Sequence, residues 1–322
     1  MTGVVGALVS FMEGSELIRD LAGVAVSAKQ VERSAEKLGR EISQDEKLHV
    51  ELNQQDIAPT LYLGMDGTGV PMRAAELKDR PGKQPDGSSK TREVKLCTVW
   101  SAEKKDEDGI PMRDEGSVSY SAAIESAATS DTDKGPSEFA KRVIREASRR
   151  GFENATRRVV LGDGAPWIWN LADEHFPDAI QIVDRFHVKQ HLTDVAKAVF
   201  GPQSELAAIW GKKMRDALDE GRLDDILSDL TRRAASCDEA RKCIDYIQTN
   251  RHRMRYLEFR SQGLCTSTGV VEAGCKLTIG TRLKRAGMHW TLTGANAIIA
   301  LRCCKLSGRF EDFWERRTSQ VA

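Results

Sequence analysis

The sequence predicts an α/β fold, with a mixed sheet flanked by helices, a small helical segment ahead of it and an all-helical insertion within it. Three observations predict this. Short apolar runs ending in an acid recur at TLYLGMD (60–66), RVVLGD (158–163) and AIQIVD (179–184), the length and flanks of buried strands. Helical segments alternate with the later strands. From about 202 to 262 the strand pattern disappears and helical periodicity takes over.

The elements follow in chain order. In EGSELIRDLAG, Leu17, Ile18 and Leu21 fall at helical spacing and Gly23 supplies a stop. VAVSAKQVERSAEKLG has Ser27 as N-cap and Gly39 as its expected C-terminal stop. Helix, short turn and helix over 12–42 fit either a helix-turn-helix or an ordinary helical hairpin, and the acidic balance of the segment weighs against DNA. Segment 43–57 reads as a polar linker. After the strand at 60–66 comes a charged, Gly/Pro-rich loop at 76–92, ELKDRPGKQPDGSSKTR, then an alternating strand VKLCTVWSA (94–102) and a further strand near 116–121. PSEFAKRVIREASRR (136–150) is an amphipathic helix with Pro136 early and Gly151 ending it. APWIWNLADEHF and RFHVKQHLTDVAKAVFG are helices following the strands at 158–163 and 179–184. WGKKMRDALDEG, LDDILSDLTRRAA and ARKCIDYIQTNRHRMRYLEF form the helical run, and GLCTSTG, VVEAGCKLTIGTRLK and the helix ANAIIALRCCK close the chain. The expected divisions are 1–57, helical segment and linker; 58–201, first part of the sheet domain; 202–262, helical insertion; and 263–322, its last part with a basic C-terminal region.

The 322 residues suit two or three domains, and 40% hydrophobic with 30% charged residues excludes disordered, collagen-like and coiled-coil classes. Formal net charge is zero, but its distribution is uneven. Residues 251–322 carry 13 Lys/Arg against 5 Asp/Glu, and residues 1–60 carry 6 against 10. A basic tail permits nucleic-acid contact without requiring it. Seven cysteines with no C-x-x-C pair suit a reducing cytoplasm better than a disulfide framework or zinc ribbon. The N-terminus lacks the features of a signal peptide, and no run of about 20 apolar residues reads as a membrane span.

The chemistry-bearing residues are acids at element edges. Asp66 ends the first strand, Asp163 the fourth, and Glu272 lies beyond the helical run in TGVVEAGCK. Ligand sites of open α/β sheets gather at the carboxyl ends of strands. Glycines follow Asp66 and Asp163, allowing close backbone approach. Hard oxygen donors without dedicated Cys/His ligands favour Mg²⁺ or Mn²⁺, and two such ions stabilise both oxygens of an in-line phosphoryl displacement. A single acid such as Asp163 is also accounted for as a helix cap.

Residues 60–322 resemble bacterial insertion-sequence transposases of the DDE type, close to the Mutator-like superfamily and its Kra-type relatives. The resemblance rests on MDGTGVPM, VVLGDGAPWIWNLADEHFPDAIQIVDRFHVKQHL and TGVVEAGCKLTIGTRLKRAGMHWTLTGANAIIALR, in that order. It implies an RNase H-like catalytic domain with an all-helical insertion ahead of the last acid. It assigns Asp66, Asp163 and Glu272 as the catalytic, metal-binding triad. DRFH (184–187) matches an acid-or-Cys, two residues, His motif. Asp184 thereby rivals Asp163 as a metal ligand, and His187 either contacts the scissile phosphate or orients a carboxylate. His187 and His191 at i,i+4 are otherwise one polar helix face, and without an H-E-x-x-H glutamate a zinc site is discounted.

The basic face after Glu272 comprises Lys276, Arg282, Lys284 and Arg285, with Arg302 and Lys305 further on. A regular helix would put Glu272 and Lys276 on one face, offering a carboxylate to metal and an ammonium to the DNA backbone. Trp210 either stacks on a flipped base or packs in the core, whereas Trp167, Trp169, Trp290 and Trp314 read as core or interface. The expected partners are the element's terminal inverted repeats and target DNA, bound by a homodimer or larger assembly, in a bacterial cytoplasm at the nucleoid. Rival readings are a catalytically silent repressor occupying element ends and a general RNase H-like nuclease. Relatives carry a longer region before the first catalytic strand, so a shortened copy or a late-assigned start is expected.

Overall fold

The computed structural model describes residues 1–50, 57–78, 80–82, 84, 85, 87–128 and 135–319. The expected α/β class is present. Strands β1 (Thr60–Pro71), β2 (Thr91–Trp100), β5 (Ser119–Ala123), β6 (Arg157–Gly162) and β7 (Ile180–Val183) form a five-stranded mixed sheet in the order β5-β2-β1-β6-β7, and β3 (Lys104–Lys105) pairs with β4 (Pro111–Met112). Three antiparallel strands followed by two parallel ones is the RNase H-like arrangement that the sequence resemblance implied. The chain divides into two compact units.

The first unit holds Met1–Ser101, Glu115–Thr156 and Gly269–Ala322. Its N-terminal part has three helices, α1 (Thr2–Leu8), α2 (Phe11–Ala22) and α3 (Ala28–Leu48). Ser10 and Ser27 each close a capping box on α2 and α3, and Gly23 ends α2 in the left-handed region, φ 65°. The short apolar run at the N-terminus, too brief for a strong periodic signal, is α1. Its Gly6 packs so tightly on α3 that an added Cβ would lie 2.9 Å from Ala35.

Gly39 does not stop α3. The helix continues to Leu48, through 43–48 of the expected linker, and residues 51–56 of that linker lie outside the described residues. A Cβ on Gly39 would fall 2.0 Å from the carbonyl oxygen of Ala297, so this glycine serves a close helix crossing rather than a C-cap. The element it meets is α13 (Leu292–Leu306), largely apolar and buried over Ala297–Cys304.

The β1–β2 hairpin pairs Asp66 with Leu96 and Val70 with Arg92, and β2 continues onto β5 with Leu96 opposite Ala122. Helix α4 (Glu138–Arg149) starts at Ser137, which caps it, and covers this sheet with Phe139, Val143 and Ala147. Its buried Glu146 binds Arg149 at 2.7 Å and Arg309 at 2.8 Å, joining α4 to the segment before α14 (Phe310–Ser319).

The second unit holds Ala102–Asp114 and Arg157–Thr268. Strands β6 and β7 are parallel, Gly162 lying opposite Val183. Helices α5 (Pro166–His175) and α6 (Arg185–Phe200) follow them, with Pro166 opening α5 and Asp184 capping α6. Then come α7 (Glu205–Asp219), α8 (Leu223–Ala234), α9 (Asp238–Asn250) and α10 (Tyr256–Ser261), the helical run expected from the sequence. Among the described residues no helix is long and apolar enough to cross a membrane.

Candidate active site

Asp66 and Glu272 both belong to the first unit. Asp66 sits half-buried near the middle of β1, and its Oδ1 accepts the Gly67 N–H at 2.6 Å. Glu272 lies exposed on the short helix α11 (Gly269–Gly274), which rests on the β1–β2 hairpin. Two glycines make that seat possible. A Cβ on Gly64 would sit 2.2 Å from Val271, and one on Gly274 would sit 2.9 Å from Tyr120 and 3.1 Å from Leu96. Any larger residue at either position would lift α11, and Glu272 with it, away from the strand that carries Asp66.

Cys275, one turn beyond Glu272, is buried and its thiol donates a hydrogen bond to the Asp66 carboxylate. Burial, then the negative charge and hydrogen bond of Asp66, push that thiol well above its ordinary range. Its chemistry there is that of a neutral donor that fixes the orientation of the carboxylate.

The helix does not stay regular after Glu272. Cys275–Gly280 forms a π-helical turn, which gives way to the short α12 (Thr281–Leu283). Such turns are rare, and this one is tied down by Arg302. The Arg302 guanidinium donates to the Thr278 carbonyl at 2.7 Å, to the Ala7 carbonyl at 2.5 Å, to the Thr281 hydroxyl at 2.8 Å and to the Leu277 carbonyl. With i→i+5 winding, Glu272 and Lys276 no longer hold the i,i+4 relation of a regular helix.

The basic face expected after Glu272 separates into two groups. Lys276, Lys284 and Arg285 are exposed, with Lys284 donating to the Thr68 hydroxyl on β1. Arg285 grips Glu13 through both terminal nitrogens, and this contact, aided by Ser10, holds the Glu13 carboxyl down at about 2. Arg282 is fully buried. Its Nε donates to the Gly6 carbonyl at 3.0 Å, and its guanidinium lies over Phe11 and Trp290 at 4.6 and 5.0 Å. Burial, followed by the charges of Arg302 and Arg285, lowers its pKa to about 10. Arg282 and Arg302 therefore serve the interior, where no duplex reaches them. Lys305 stacks on Phe310 at 5.5 Å.

The second unit supplies a second group. Asp163 follows β6, its Oδ1 accepting the Ala165 N–H at 2.9 Å in a capping contact. Asp184 follows β7 at the adjacent strand end, and its N–H donates to the Gly162 carbonyl at 2.8 Å. Asp184 is 1% exposed, so its carboxylate needs partners, and it has them. It accepts from the N–H of Phe186 at 2.7 Å, from the N–H of Thr268 at 3.1 Å and from the Thr268 hydroxyl. His187, in the first turn of α6, brings a ring nitrogen within 4.8 Å of an Asp184 oxygen.

Tyr246 on α9 ties the helical run to this group. Its hydroxyl donates to the Asp163 carbonyl at 2.7 Å, and its ring meets that of His191 at 4.3 Å. Gly164, at φ 99°, lets the ring in: a Cβ there would stand 2.4 Å from the tyrosine. Burial, then the charges of Asp163 and Asp184, raise the Tyr246 pKa, while burial and His187 lower that of His191. Trp210 is buried in the helical run. Its indole N–H donates to Asp229 at 2.7 Å and Arg233 covers its ring at 5.2 Å, so of the two sequence readings packing is the one observed.

Cys275, Thr268 and Tyr246 went unmarked in the sequence. Thr268 had one available signal, its place in the Ser/Thr-rich turn just before Glu272, while Cys275 and Tyr246 reach their aspartates only through the fold.

Residues 113–317 match the family profile described as Uncharacterised protein family (UPF0236). No curated protein matches the chain. Among solved structures, the Drosophila P element transposase strand transfer complex is similar at 12% identity and a TM-score of 0.29, over 97% of this chain and 80% of that one.

Proposed function

The chain belongs to the uncharacterised protein family UPF0236, and we propose that it is a DDE-type transposase that cleaves and joins DNA strands with divalent metal ions. The observation that carries this reading is the group at the ends of β6 and β7: Asp163 and Asp184 on adjacent parallel strands, with His187 one turn beyond Asp184. Parallel strand ends are where ligands of such sheets bind, and this placement delivers two carboxylates and an imidazole to one edge. The sequence motifs MDGTGVPM and TGVVEAGCK add Asp66 and Glu272, the second of them exposed on a helix anchored to the strand of the first.

The donor set suits the ions proposed. Asp66, Asp163 and Glu272 offer hard carboxylate oxygens, matching Mg²⁺ or Mn²⁺. When bound, two such ions would polarise the phosphodiester and favour ionisation of the attacking hydroxyl. Asp66 and Asp163 each hold one oxygen in a backbone contact, which fixes the carboxylate plane. His187 contacts the scissile phosphate or orients a carboxylate.

In the first reaction water adds to phosphorus and the bond to the element's terminal O3′ breaks, leaving a 3′-hydroxyl on the element and a 5′-phosphate on the flank. In the second that hydroxyl attacks a target phosphodiester and displaces the target's own O3′. No covalent protein–DNA bond is formed. Joining two ends to one target calls for a dimer or larger assembly on DNA, with Lys276, Lys284 and Arg285 as exposed phosphate contacts.

The test is nicking of a duplex bearing the inverted repeats that flank the reading frame, in Mg²⁺ or Mn²⁺. Asp66→Ala, Asp163→Ala and Glu272→Ala should each lower cleavage by about 10²–10³-fold or more while leaving duplex affinity within about twofold. Wild-type cleavage by Asp66→Ala or Glu272→Ala would refute the assignment. Asp184 is the rival second ligand because one of its oxygens lies within 4.8 Å of a His187 ring nitrogen. Loss in Asp184→Asn with retention in Asp163→Asn would exchange their roles.

A further inference from the structure

We propose that the cleft beside the outer end of the β1–β2 hairpin, bounded by Arg80 and Arg92, grips the phosphate backbone of duplex DNA flanking the reacting phosphodiester. The inference rests on the transposase reading for the identity of its ligand and on its own geometry for its place.

The cleft has a volume of about 450 Å³ and belongs to the first unit alone. Its other charges are already matched. Lys95 pairs with Glu93, and Glu125 is held by both Nε and Nη2 of Arg142 at 2.9 and 2.7 Å. That leaves Arg80 and Arg92, neither of which forms an ion pair or side-chain hydrogen bond among the described residues. Burial, and next the charge of Arg80, lower the pKa of Arg92. The acid whose field opposes this, Glu76, accepts the Leu292 N–H at 3.1 Å.

Two guanidiniums on a cleft whose described carboxylates, Glu93 and Glu125, already have cationic partners leave its positive charge open to an anion. Thr91 and Ser126 also line the cleft and carry hydroxyls. Fork-shaped cations with hydroxyls are the chemistry of phosphate recognition, and contacts of this kind give affinity rather than sequence choice.

The cleft is also well placed. Leu96 lies opposite Asp66, and Arg92 is four residues from Leu96 along β2, so Arg92 and Asp66 project from the same face of the hairpin. Four residues of strand span about 13 Å, close to the rise of roughly four base pairs. A duplex whose reacting phosphate lies at Asp66 therefore has backbone available at Arg92.

The experiment uses the full chain and a labelled mixed-sequence duplex of about 30 bp, with affinity measured across a salt series. Arg80→Gln combined with Arg92→Gln should weaken binding about tenfold at low salt and reduce the slope of log K against log salt by about 1.8, or about 0.9 for each phosphate no longer neutralised. Arg80→Lys with Arg92→Lys should keep most of the slope, which excludes misfolding as the cause. A folded Gln pair with wild-type affinity and slope overturns the cleft and leaves the active-site reading standing, since that reading is judged by nicking in Glu272→Ala. A wild-type chain that binds inorganic phosphate at these arginines but ignores duplex overturns DNA as the occupant.

Discussion

A carboxylate that must hold a metal ion works only if its orientation is fixed, and Asp66 is fixed from two sides, by the Gly67 N–H and by the Cys275 thiol. Cys275→Ser keeps a donor at that position and Cys275→Ala removes it. The serine variant should retain near-normal cleavage, while the alanine variant should need several-fold more Mg²⁺ for half-maximal rate at little cost in kcat. Equal metal dependence in both variants would assign Cys275 to packing alone. Tyr246 acts on Asp163 in the same manner, through its backbone. Tyr246→Phe should cost about 1 kcal/mol of stability, read as a lowered denaturation midpoint, because one part-buried hydrogen bond is removed and the ring still fills the space over Gly164. At this scale the strand-end positions of Asp163 and Asp184 were legible, because each closes an apolar strand pattern, whereas β1 runs past Asp66 to Pro71. Their partners were not. Cys275 and Tyr246 are remote in sequence from the aspartates they touch, and no local pattern distinguishes a thiol that meets a carboxylate from one that fills a core.

Elements show where local rules yield to packing. Gly39 carries a helix-stop signal, yet α3 passes through it because the neighbouring α13 comes within a carbonyl's reach. Gly39→Ala would drive a methyl into the Ala297 backbone, which cannot move aside as a flexible side chain can. The expected loss is about 1–3 kcal/mol by urea denaturation, although alanine is by propensity the better helix former. A stabilised variant would show that α3 and α13 are not packed as described. The π-helical turn after Glu272 is a second such case. Regular periodicity predicted one helix with Glu272 and Lys276 on a common face, whereas the Arg302 guanidinium holds the carbonyls of an i→i+5 winding. Nothing in CKLTIG announces that change, because its cause lies on α13. Most other elements, β6, β7, α6 and the helices of the insertion among them, were legible because their apolar residues keep one period from end to end.

At the scale of the molecule, several carboxylates among the described residues shift the same way. Glu13, Glu138, Glu146, Asp216 and Asp229 are held below their ordinary values, each by a neighbouring Arg or Lys whose pull exceeds any burial cost. A carboxylate depressed by folding contributes stability above its unfolded pKa and loses it as pH falls through its folded one. Asp229, whose burial is outweighed by Arg232, Arg233 and Trp210, lies at about 2, so its contribution is complete above about pH 4 and fades between pH 4 and 2. His191 and His252 act in the same direction from a higher starting point. Burial lowers both, so the unfolded chain takes up protons first and stability begins to fall below about pH 6.5. The melting temperature should therefore be nearly flat from pH 7 to 8, decline gently below 6.5 and drop steeply below 4. Asp229→Asn should start from a lower melting temperature at pH 7, since Arg232 and Arg233 lose their partner, and should fall less between pH 4 and 2 than the parent chain. Parallel acid limbs in the two proteins would mean that Asp229 titrates alike folded and unfolded, and that the Trp210–Asp229–Arg233 cluster is not what holds the helical insertion together.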